Sequence, residues 1–200
     1  MKICKLFAAL ALALPALACQ NAGAHEAVFR AELLGSSENP PNSSTATGIG
    51  TVTVDFDLVT MRVQETFAGL TGTTTASHIH CCTATPFTGN VGVATQLPSF
   101  SGFPLGVTSG SFDQTFDMSL ASSYNPAFVT ANGSVSGAFN ALVGGLESGR
   151  AYLNIHTTAF PGGEIRALLT PVPEPETYAM MLAGLAIMVP MLRRARRDAH

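Results

Sequence analysis

GTVTVDFDLVTMRVQETFA, residues 50–68, is the stretch that decides the fold class. Val52, Val54, Phe56 and Leu58 fall on one face and Thr51, Thr53, Asp55 and Asp57 on the other, the period of two of a half-buried strand. Met61 to Ala68 repeats the pattern after a tight connection, which predicts an antiparallel hairpin. Working outward, Ala27 to Leu34 alternates Phe29, Ala31 and Leu33 with Arg30 and Glu32, and Gly110 to Leu120 alternates Phe112, Phe116, Met118 and Leu120 with polar residues. Both predict strands. Gly35 to Gly48 carries Pro40 and Pro41 and reads as a loop. Arg150 to His156 and Glu164 to Thr170 flank Pro161-Gly162-Gly163, a second hairpin, and a further strand ends at His80. Ser134 to Val143 has helical spacing, with Ser134 as N-cap and Gly144 as stop, so one short helix is expected. Cys81 to Gly110 shows no sustained period and reads as a long ordered loop or a few short strands. Short alternating strands with one minor helix predict an all-β, antiparallel sandwich.

Both ends read as addresses rather than fold. Residues 1–24 carry Lys2 and Lys5, an apolar run from Leu6 to Ala18, and Ala22-Gly23-Ala24, which suits signal peptidase cleavage before His25. A lipobox-like Ala16-Leu17-Ala18-Cys19 is the alternative. At the other end, residues 171–200 hold a motif at 172–177 (VPEPET), an apolar run at 178–192, and a basic end at 193–200 with Arg193, Arg194, Arg196 and Arg197 as a cytoplasmic stop. A run this short makes about 22 Å of helix at ~1.5 Å per residue, against a hydrocarbon core of ~30 Å. The expectation is a transient hold, not a permanent transmembrane helix. This tripartite tail resembles the PEP-CTERM sorting signal of exopolysaccharide-producing Gram-negative bacteria. The resemblance implies that Pro173, Glu174 and Pro175 are recognised by an exosortase, which removes the tail and releases the protein to the outer surface or extracellular matrix.

Between these ends, residues 25–170 form one expected domain. From His25 to Pro173 there is no lysine, and four arginines face ten carboxylates, a net charge of minus six. Nucleic acid is an unsuitable partner for such a surface, because phosphate binding needs clustered Lys and Arg.

Chemistry concentrates at Ser77-His78-Ile79-His80-Cys81-Cys82-Thr83. In a strand, His78 and His80 project from one face and Ile79 from the other, toward a core. An internal echo adds a third histidine. Gly69-Leu70 leads to His80 as Gly145-Leu146 leads to His156, so Asn154, Ile155 and His156 correspond to His78, Ile79 and His80. If the two strands are neighbours, His78, His80 and His156 converge. Three imidazoles with an open position suit copper or zinc. The competing expectation is that the histidines bond loop carbonyls and pin the fold. Cys81 and Cys82, in an oxidising exported compartment, have three routes. They form a vicinal disulfide, pair between chains, or stay thiolates beside His80. Across a trans peptide their α-carbons would be ~3.8 Å apart, against the ~4.4–6.8 Å that disulfides prefer, so a bond between them is expected to be strained. Asp55 with Asp57, and Asp113 with Asp117, are weaker calcium candidates. No nucleophile elbow, phosphate loop or Glu-x-x-His helix is present, so no enzyme is expected.

Phe29-Arg30-Ala31-Glu32-Leu33, Glu38-Asn39-Pro40-Pro41, Gly69-Leu70, Ala76-Ser77-His78-Ile79-His80, Leu153-Asn154-Ile155-His156-Thr157 and Pro161-Gly162-Gly163-Glu164-Ile165-Arg166 together resemble the CHRD domain, first described in chordin. The resemblance implies an immunoglobulin-like or superoxide-dismutase-like β-sandwich. Cys81-Cys82 stands where many members have glycine. The three histidines are similar to three of the four copper ligands of copper/zinc superoxide dismutase, but the mature core has no fourth histidine and no second-metal loop, and His25 could contribute only through a free amino terminus. The first functional expectation is a structural, adhesive or binding component of envelope or exopolysaccharide; the second is a metal-binding or redox protein using His78, His80 and His156.

Overall fold

β1 (Glu26–Leu34), β2 (Thr47–Asp55) and β3 (Thr60–Ala68) form an antiparallel meander in the computed structural model, which describes residues 25–173 together with 184, 185 and 188. The expected hairpin is there, paired from Thr47↔Ala68 to Asp55↔Thr60. Its turn comes earlier than the alternation predicts. The Asp55 carboxylate accepts from Asp57 N and Leu58 N, each at 2.9 Å, and this local bond competes with continued pairing. Leu58 is therefore left 70% exposed instead of joining the core.

β4 (Thr74–His80), β5 (Gly110–Asp117), β6 (Tyr152–Thr157), β7 (Ile165–Leu168) and β8 (Thr170–Pro171) complete an all-β, antiparallel molecule. The strands form one ladder in the order β4-β6-β7-β1-β2-β3-β5, with β8 beside β1. Where two separate sheets would suffice for a sandwich, here β7 meets β1 through a single pair, Leu34↔Arg166, and the ladder curls at that seam. Curling lays β4, β6 and β7 over β1, β2 and β3. Gly48 shows the close approach: a Cβ there would sit 3.3 Å from Ile165 Cδ1. The shared interior holds Phe29, Leu33, Val52, Met61, Val63, Ile79, Leu153, Ile155 and Ile165, each all but inaccessible.

The helical content exceeds the one short helix expected. α1 (Pro126–Ala131) begins at Asn125, whose side chain accepts from Ala127 N, with Pro126 in the first turn. α2 (Val135–Glu147) starts as predicted at Ser134, which accepts from Gly137 N, but it runs through Gly144 and Gly145. Each helical glycine costs about 1 kcal/mol, while burying Leu146 completely returns about 1.5–3 kcal/mol. The helix ends beyond it, at Gly149 with φ +66°. Cys81 to Gly110 is a long loop, as expected, tied to the end of β4 by the bridge His80↔Val93 and to the segment before α1 by Thr95↔Tyr124. It crosses the outer face of β4 and β6.

At one end of the sandwich Glu164 acts as a clamp. Its carboxylate accepts from Ser44 Oγ, Thr71 N, Gly72 N and Thr157 Oγ1 at 2.6–3.3 Å, joining three connections. Burial alone would raise its pKa, but these donors outweigh burial and hold it below the ordinary value. No helix among the described residues is long and apolar enough to cross a membrane. The expected signal peptide, the sorting-motif residues Glu174 and Pro175, the apolar run apart from 184, 185 and 188, and the arginine stop lie outside the described residues.

Candidate metal centre

β4 and β6 are antiparallel neighbours, with His78 opposite Asn154, His80 opposite Tyr152 and Ala76 opposite His156. The sequence echo thus relates two strands that run against one another, turning about the His78–Asn154 pair rather than repeating side by side. Alternation puts Ser77 and Ile79 inward and His78, His80, Tyr152, Asn154 and His156 on the outer face. The loop from Cys81 to Gly110 covers that face, leaving His78 6% and His80 9% exposed.

All three histidines converge. Ring centroids are 5.8 Å apart for His78–His80, 5.2 Å for His78–His156 and 5.9 Å for His80–His156. Each ring also bonds one loop carbonyl: His78 Nε2 donates to Pro98 O at 2.6 Å, His80 Nδ1 to Val91 O at 2.8 Å, and His156 Nδ1 to Pro161 O at 2.9 Å. A carbonyl only accepts, so the proton on each ring must sit on that nitrogen. The opposite nitrogens, His78 Nδ1, His80 Nε2 and His156 Nε2, are then lone pairs, buried and without a partner. One ligand nitrogen from each ring lies within 4.8 Å of the other two. Three nitrogens held evenly at ~2.1 Å by one ion are at most about 3.6 Å apart, so ring movements of about 0.7 Å from a 4.8 Å spacing bring all three onto it. Carbonyl pinning and lone-pair convergence, set against each other as expectations, are the two ends of the same rings. This is the outer-shell arrangement that orients metal ligands.

Electrostatics agree with neutral rings. Burial is the main influence on each, lowering His78 and His80 to about 4 despite their carbonyl bonds, and lowering His156 as well. His80 stacks on Tyr152 at 4.6 Å with an interplanar angle of 7°, and the Arg166 guanidinium lies 4.4 Å over the other ring's centroid. Tyr152 Oη in turn donates to Val91 O at 3.1 Å, the carbonyl that holds His80. Tyr152 and Arg166 are supports that pattern reading alone missed; the period-two spacing to Asn154 and His156 was the available signal.

The cysteines are elsewhere. Cys81 and Cys82 are joined as a vicinal disulfide, and their peptide is cis, with the α-carbons 3.0 Å apart, not the trans spacing assumed from sequence. Their sulfurs face α2, close to Ala141 O and Gly145, and line a cleft of about 560 Å³ with Phe128, Asn132 and Arg150. They do not join the histidine cluster. Nor do the aspartates gather: Asp55 caps its turn, Asp117 accepts from Ser119, and Asp113 pairs with Arg62 at 2.6 Å. Pro173 follows β8 at the edge of the described chain.

The model of the CHRD domain matches residues 29–169, and that of the PEP-CTERM protein-sorting motif matches residues 171–197. No curated protein and no solved structure matches the chain. The chain belongs to the CHRD domain family and ends in a PEP-CTERM sorting signal, the mark of an exported protein processed by an exosortase.

Proposed function

We propose that this exported protein is a transition-metal binder that holds copper or zinc through His78, His80 and His156. One observation carries the reading: three imidazole lone pairs, each set by a carbonyl on the far side of its ring, are buried together without partners. Lone pairs so placed repel one another and are shielded from bulk solvent, which a cation offsets. Metal analysis of the purified mature domain is the test. One equivalent of copper or zinc is expected in the native protein and at least a hundredfold weaker retention in His80→Ala. Equal metal content in the two, or none in either, removes the reading.

The sorting signal favours a second role at the level of the whole protein, as a structural or adhesive component of the outer surface or exopolysaccharide matrix of a Gram-negative bacterium. The two are compatible, since metal binding belongs to the domain and placement to the tail. Cell fractionation of a chain lacking residues 173–200 tests this. The truncated form is expected to leave the envelope fraction, and unchanged retention and processing count against it.

A further inference from the structure

Among the described residues, five buried side-chain polar atoms have no hydrogen-bond partner: His78 Nδ1, His80 Nε2, His156 Nε2, Asn154 Oδ1 and Glu38 Oε1. They share one place. Asn154 sits opposite His78 on the neighbouring strand, and two residues from His156 on the same face. Asn154 Nδ2 reaches Glu38 Oε2 at 3.4 Å. Both side chains crowd over Gly163, where a Cβ would lie 2.6 Å from Glu38 Oε1 and 2.7 Å from Asn154 Oδ1. Asn154 is 2% exposed and Glu38 8%, so bulk water does not serve either.

An unsatisfied buried polar group is destabilising, and native structures hold few of them. Five together, with no others among the described residues, call for a cation and for hydrogen donors. A metal ion accounts for the three nitrogens. It gives nothing to Asn154 Oδ1 and Glu38 Oε1, which accept hydrogens. A coordinated water has two.

Resting on the metal reading above, we propose that the ion at the three histidines keeps a water as fourth ligand, whose hydrogens are accepted by Asn154 Oδ1 and Glu38 Oε1. The count then closes: three lone pairs on the ion, two oxygens on its water. Three protein ligands plus an exchangeable water is the coordination of catalytic rather than structural zinc sites, so the position also takes small anions. Asn154 and Glu38 are positioning residues for the solvent ligand, and Gly163 is the glycine that leaves room for them.

Loading the full-length protein with Co(II) and titrating azide while recording the visible spectrum tests this. Saturable azide-dependent band shifts are expected. Azide has no hydrogen to give Asn154 or Glu38, whereas water does; Asn154→Leu should therefore bind azide about tenfold tighter, the equivalent of one lost water hydrogen bond. Bound Co(II) with a spectrum that azide leaves unmoved overturns the proposal and spares the metal site. Equal azide affinity in the variant overturns it too, because Glu38 and Asn154 would then satisfy each other. Failure to take up Co(II) defeats the metal reading itself. Should Asn154→Leu not fold, pulsed EPR of the Cu(II)-loaded native protein in deuterated water decides alone: strongly coupled deuterons support the water ligand, and their absence refutes it.

Discussion

Glu65 occupies the sandwich interior, 1% exposed, on a strand whose other inward positions are Met61, Val63 and Phe67. Its two carboxyl oxygens lie 2.9 and 3.0 Å from Ser77 Oγ, so it bridges β3 and β4 across the core, one residue from His78. Burial raises its pKa to about 8, against the lowering effect of the Ser77 bond. Between the ordinary carboxylate value and 8, the folded state holds a proton that the unfolded chain has released. Stability is therefore full at low pH and falls as pH rises through that window, by roughly 4–5 kcal/mol at about 1.4 kcal/mol per unit. Glu65→Gln keeps the shape and the Ser77 contact but cannot ionise. It should stabilise the protein at pH 8 by a few kcal/mol and flatten the alkaline slope in urea denaturation; parallel slopes for the two proteins would falsify the assignment.

At the scale of the element, α2 shows how one contact sets a helix's length and seat. Gly145 faces the Cys81–Cys82 disulfide so closely that a Cβ there would overlap both sulfurs. An alanine normally improves a helix by about 1 kcal/mol over glycine, but here it forces α2 away from the sheet, at a typical overpacking cost of 1–3 kcal/mol. Gly145→Ala should lower the thermal midpoint of the oxidised protein. Gly144→Ala, with nothing within 4 Å of its Cβ, should raise it. If both substitutions stabilise, the sulfurs do not lie against the helix. Intact-mass measurement on exported protein checks the bond itself, expected as a loss of two hydrogens relative to the dithiol form.

For the whole molecule, the buried groups combine into a stability profile for the metal-free protein. His78 and His80, lowered to about 4, withdraw stability as pH falls from 6.5, because the unfolded chain takes up protons that the folded rings refuse. His156 adds in the same sense. Glu65 and Glu38, raised to about 8 and about 7, withdraw stability as pH rises above their ordinary value of 4.5. The opposing slopes meet between 4.5 and 6.5, where they largely cancel. Maximum stability of the metal-free domain is expected in that interval, with losses on both sides, as read from the denaturation midpoint across pH. A maximum above pH 7 would show that these groups are solvated.

Period-two alternation was enough to place most of the strands, because each has one face in the core and one in water and the sequence must alternate to satisfy both. It also paired His78 with His80 on one face, since that follows from pleat geometry alone. Helix start signals are equally local: Ser134 marks the start of α2 and Asn125-Pro126 that of α1. What sequence alone determined, then, is what neighbouring residues decide among themselves: strands, faces, the charge of minus six between residues 25 and 173 and the sorting tail. Where Asp55 ends a strand or α2 outruns its glycines, a distant partner or a local side-chain bond competes with the pattern, and the pattern cannot show it. Only the tertiary structure decided that β4 and β6 lie side by side, that loop carbonyls from Pro98, Val91 and Pro161 orient the three rings, and that Glu38 and Asn154 meet beside them. The physical reason is that antiparallel neighbours need not be adjacent in sequence, and hydrogen bonds between residues up to 140 apart leave no periodic trace.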